Sequence, residues 1–103
     1  MKYQLVLQWP SSSSTAEYDR LISLEETIRD GLGELGVVDG HDIGSGEMNI
    51  FIHTDEPVLA FERAKLLLDP GNALGEMKAG YREFDEDEYA AIYPQGLGHF
   101  SVV

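Results

Sequence analysis

Between Asp39 and His53 the chain concentrates side chains suited to acid–base or metal chemistry: Asp39, His41, Asp42, Glu47 and His53. An imidazole titrates near neutrality, and a neighbouring carboxylate can hold it in one tautomer. His41 beside Asp39 is therefore the candidate catalytic pair. No nucleophile or nest of backbone N–H groups accompanies it, so a surface histidine among carboxylates is the weightier reading. The glycines Gly44 and Gly46 could cradle a phosphate, but they join two strands, face acids and lead to no helix N-terminus. The spacing is not that of an EF-hand loop.

Register decides what the other groups can do. Residues 37–43 and 47–53 read as the arms of a hairpin about Gly44-Ser45-Gly46. A three-residue loop pairs Ile43 with Glu47, His41 with Asn49 and Asp39 with Phe51. Asp39, His41, Asn49, Phe51 and His53 then share one face, and Met48, Ile50 and Ile52 turn to the other. A two-residue loop pairs Ile43 with Met48 and sends Asp39 and His41 to the apolar face, where a carboxylate lacks an evident partner. The three-residue loop is expected on that ground. In it His41 and His53 lie about 13 Å apart along the strand, too far for one ion with bonds of about 2.1 Å. In the two-residue loop they fall on opposite faces. No metal and no cofactor are expected.

The elements that must position this hairpin follow from periodicity. Tyr3, Leu5, Leu7 and Trp9 alternate with Gln4, Val6 and Gln8, which makes 3–9 a strand with one buried face. Pro10 and Ser11–Ser14 end it, and Ser14 with Glu17 has the spacing of a capping box. A helix over 16–33 carries the stripe Leu21, Leu24, Ile28, Leu32, with Glu25, Glu26, Arg29 and Asp30 expected in water. Thr54 or Asp55 caps a second helix with Pro57 in its first turn, buried through Phe61, Ala64, Leu67 and Leu68. Asp69-Pro70-Gly71-Asn72 breaks it. A last strand is expected near 77–84. Tyr89–Pro94 reads as a short helix or an irregular tail.

The order β-α-β-β-α-β predicts one ferredoxin-like α+β domain over residues 1–103, a four-stranded antiparallel sheet with two helices on one face. The other face would carry Gln4, Val6, Gln8, Asn49, Phe51 and His53, with Arg82 or Phe84. Two covers for it are open: a second copy in a symmetric dimer, or the segment Tyr89–Phe100, whose aromatics need burial.

The stretch Asp39-Gly40-His41-Asp42-Ile43-Gly44-Ser45-Gly46-Glu47-Met48-Asn49-Ile50-Phe51 resembles small uncharacterised bacterial proteins. The resemblance covers Asp39 to about Phe61, roughly a third of the chain, and implies no activity.

Charge narrows the partners. Nineteen acids against seven bases give −12, and no two bases are adjacent. Such a field repels phosphate backbones and anionic membranes and speeds encounter with basic proteins. An absence of cysteine removes disulfides and thiolate sites, and no stretch approaches the length of a membrane span. A cytoplasmic location is expected. Glu83, Asp85, Glu86, Asp87 and Glu88 place five acids in six positions, a solvated loop or a docking site for a basic partner. The leading expectation is a non-catalytic interaction module, homodimeric or bound to a basic protein, through Gln8, Asn49, Phe51 and His53 or through Asp85–Glu88. The alternative is a small-molecule or enzymatic site around Asp39, His41, Asn49 and His53.

Overall fold

β1 (Tyr3–Pro10) is the central strand because both of its faces are apolar enough to bury. Leu5, Val6 and Leu7 have no exposed surface. The computed structural model describes residues 1–12, 14–71 and 73–102. Ser13 of the serine run and Asn72 of the expected helix breaker lie outside them. The chain continues through α1 (Thr15–Gly31), β2 (Val37–Gly44), β3 (Glu47–Thr54), α2 (Pro57–Leu68), β4 (Lys78–Glu83) and β5 (Ala90–Tyr93). The strands form one sheet in the order β2-β3-β1-β4-β5, and every neighbouring pair is antiparallel. The fold is thus α+β, with two helices and a five-stranded sheet. The four-stranded expectation is corrected by β5: the segment read as a helix or tail pairs with β4, Gly80 opposite Ala91 and Tyr81 opposite Ala90.

Ser14 caps α1. The Ser14 hydroxyl accepts the Glu17 N–H at 3.2 Å, and the Glu17 carboxylate collects the Ser12 N–H at 2.7 Å and its hydroxyl at 2.6 Å. Those bonds, the Ser12 hydroxyl first, hold the Glu17 carboxyl below its ordinary pKa. At the other end Gly31 has no Cβ, which lets the Leu67 side chain of α2 close onto it: an added methyl would come within 2.4 Å of Leu67. The start of α2 departs from the expected cap. The Thr54 hydroxyl accepts the Glu56 N–H at 2.9 Å and donates to the Leu35 carbonyl at 2.6 Å, whereas Asp55 accepts the Lys2 N–H at 3.0 Å.

Both helices cover one sheet face. Leu5, Leu7 and Trp9 of β1 meet Met48, Ile50 and Ile52 of β3, Ala79 of β4, Leu21 and Ile28 of α1, and Ala60, Phe61, Ala64 and Leu68 of α2. Each fully buried aliphatic side chain there contributes about 2 kcal/mol.

The expected hairpin register is corrected in an informative way. Gly44 pairs with Glu47, Ile43 with Met48 and His41 with Ile50, so the loop has two residues, Ser45 and Gly46. Both take positive φ, 53° and 82°, the twist that joins antiparallel strands tightly. The other register appears lower down, where Val38 pairs with Ile52 and Val37 with His53. The change falls between Val38 and Gly40, leaving Asp39 as the extra residue of a β-bulge. A carboxylate is still kept off the apolar face, because the bulge turns Asp39 out while His41 goes in.

Candidate functional site

The bulge separates the two histidines. His41 lies on the helix-covered face, half-buried, with Nδ1 2.9 Å from the Glu25 carboxylate. Helical periodicity alone expects Glu25 in water. It is 5% exposed instead, because it falls on the same helical stripe as Leu21 and Ile28. Arg29 approaches its other oxygen at 3.6 Å, and the ring of Tyr18 packs edge-on to His41 at 5.8 Å. This cluster pairs a buried carboxylate with a histidine and an arginine between α1 and the sheet. His53 lies on the opposite face, with Nε2 3.4 Å from the Asp39 carboxylate and its ring edge-on to Phe84 at 4.8 Å. Asp39, His41, Asn49 and His53 therefore do not converge. The structure brings together Asp39 with His53, and Asn49 with Gln8.

Gln4, Val6 and Gln8 of β1, Asn49, Phe51 and His53 of β3, and Gly80 and Arg82 of β4 share the second sheet face through the strand register. Part of it is covered in cis. The residues after β5, 94–102, run back across it as a strap without regular structure. Phe100 is 4% exposed, and its ring sits where a Gly80 side chain would be: a methyl there would lie 2.5 Å from it. The Tyr89 ring meets Phe100 at 5.3 Å, and its hydroxyl donates to Gln4 at 2.7 Å. Gln8 Nε2 donates both to Asn49 Oδ1 and to the Ser101 carbonyl, each at 3.0 Å. Asn49 is 1% exposed, and its Nδ2 has no acceptor among the described residues. A buried amide left so costs about 1–3 kcal/mol.

The acidic run is ordered at the edge of this face. It wraps the Arg82 guanidinium, whose Nη1 donates to the carbonyls of Glu83, Phe84 and Glu86 at 3.3, 3.2 and 2.8 Å. The Lys2 ammonium sits 3.0 Å from Glu83 and holds that carboxyl below its ordinary pKa. Glu86 is pushed the other way, by a hydrogen bond shared with Glu83 and by the charges of Glu83, Asp85 and Glu88. Carboxylate oxygens of Glu83, Asp85 and Glu86 come within 4.8 Å of one another. The run thus carries negative charge beyond what its two internal cations balance.

A cleft of about 270 Å³ opens where the run meets the strap, lined by Asp87, Glu88, Tyr89, His99, Phe100, Ser101 and Val102. Asp87 and Glu88 stood out in the sequence by charge. His99 and Phe100 did not, because ten residues lie between Glu88 and His99 and only the strap's return joins them. The need to bury Phe100 was the one available signal. No family model, curated protein or solved structure matches the chain. Among the described residues no helix is long and apolar enough to cross a membrane.

Proposed function

We propose that this chain is a non-catalytic interaction module that receives a basic protein at its acidic end, Glu83–Tyr89 with the strap edge His99–Val102. The observation that carries the reading is the cleft. The two carboxylates that flank it, Asp87 and Glu88, suit a lysine or arginine side chain through charge. The raised pKa of Glu86 supports it, since an arriving cation would relieve the repulsion that Lys2 and Arg82 leave unbalanced. Nucleic acid fits this surface poorly, because phosphates need cations. The homodimeric reading needed a bare sheet face, and the strap occupies part of it.

The same reading takes residues 1–103 as one ferredoxin-like domain at work in the cytoplasm. Its support is the order β4-β1-β3-β2 within the sheet, with a helix following β1 and another following β3, and β5 added outside β4. The enzymatic alternative has no comparable support, since His41 and His53 face opposite ways.

An affinity capture from native extract at low and high salt tests the proposal, with the wild type beside a variant in which Asp85, Glu86, Asp87 and Glu88 are all replaced by Lys. Capture of a basic protein at low salt, lost at high salt and lost in the variant, is expected. Equal capture by both chains would sink it.

A further inference from the structure

The strap is held lightly for a segment that covers so much. Its described residues form no strand with the sheet they cross, and a backbone bond from Leu97 N–H to the Pro94 carbonyl at 3.0 Å folds the strap on itself. Gly96 takes a φ of 88° within that fold. Among the described residues its hold on the face is the Phe100 ring, seated in the notch over Gly80 and against Tyr89, and one carbonyl, Ser101, on the Gln8 amide. Beside that bond the strap leaves the Asn49 Nδ2 donor buried and unmatched among the described residues. Buried donors in native structures are nearly always paired. The face therefore offers two amide donors and a ring-sized notch, and its present occupant uses the notch and one amide.

We propose that this face is a peptide-binding surface and that the strap is its internal occupant, displaced by an extended segment of another protein. That segment carries an aromatic side chain for the Gly80 notch and backbone carbonyls for both Gln8 and Asn49. The strap's own chemistry defines the occupant, and the unmatched donor is where a better one gains. A tethered competitor acts at an effective concentration of about a millimolar, so the site is masked in the free protein. Recognition here is by packing and neutral hydrogen bonds. High salt leaves it unchanged where basic-partner binding falls, and displacing the strap removes the His99–Val102 wall of the acidic cleft.

The test uses the full chain and a fluorescent peptide with the sequence of residues 96–102, read by anisotropy at low and high salt. Phe100→Ala frees the notch and is expected to bind the peptide about tenfold or more tighter than the wild type, whose strap competes. A peptide with its phenylalanine replaced by alanine does not bind. Equal binding by both proteins, or by both peptides, overturns the proposal. So does the appearance of dimers with rising protein concentration in place of peptide binding, which would make a second copy's strap the occupant. Should Phe100→Ala fail to fold, hydrogen exchange on the wild type decides. Strap amides that exchange well ahead of β1 and β3, and faster still with excess peptide, support displacement. Strap amides that exchange only with global unfolding refute it.

Discussion

The two faces of the sheet solve the same problem with opposite means. One is sealed by two helices and is largely apolar, its polar groups being Thr54 and the Glu25–His41–Arg29 cluster. The other carries Gln4, Gln8, Asn49 and His53 and is covered in part by an irregular strap. A dry face sealed by helices fixes the fold. A polar face under a strap costs little to expose, because its amides can bond to water once uncovered. On the proposed reading, stability lies on one side and binding on the other.

Core truncation on the helix face would break that division most visibly. Leu7→Ala is expected to cost about 3 kcal/mol in chemical denaturation, since the cavity lies between both helices and cannot collapse. His41→Ala comes next, at about 2 kcal/mol. It leaves Glu25 buried with Arg29 alone, and the partial exposure of His41 keeps the loss below that of a fully buried pair. A cost near zero would mean that Glu25 reaches water. Phe100→Ala on the strap face is smaller, about 1.5 kcal/mol, because the strap can peel away without opening the core. If it matched Leu7→Ala, the strap would be part of the core and the two faces would not differ.

Much of this division was legible in the sequence, and the failures have physical causes. The alternation of 3–9 and the Ser14–Glu17 spacing determine β1 and the start of α1 by local rules. The hairpin register was misread because a bulge adds one residue without a sequence mark, and one residue exchanges the faces. Glu25 was misplaced because a charge on an apolar stripe looks like a boundary unless its partner is known, and His41 is sixteen positions away. β5 escaped notice because Ala90-Ala91-Ile92-Tyr93 has too little alternation to separate strand from helix. For the site, the acids were plain, but the cleft depends on the strap's return, and folding back was only one of two covers the sequence allowed.

The smallest effects concern pH. Glu17 has a lowered pKa in the fold, so its contribution to stability is full above the ordinary value of 4.5 and is lost as pH falls through the lowered one. Thermal unfolding of Glu17→Gln should show less acid sensitivity than the wild type in that window. Glu86, with its pKa raised, takes up a proton before an ordinary glutamate does as pH falls. Affinity for a basic partner should therefore begin to weaken at a pH above the ordinary glutamate range, and Glu86→Gln should remove that step.

The most direct test of the acidic cleft as the receiving site is a two-dimensional NMR titration of the labelled protein with a tetra-arginine peptide. Saturable shifts at Asp87, Glu88, Tyr89, His99 and Phe100 are expected, suppressed by salt and absent in a variant with Lys at both 87 and 88. Shifts of equal size along the exposed acids of α1, at Asp19, Glu26 and Asp30, would show diffuse attraction to a −12 surface and contradict a built site.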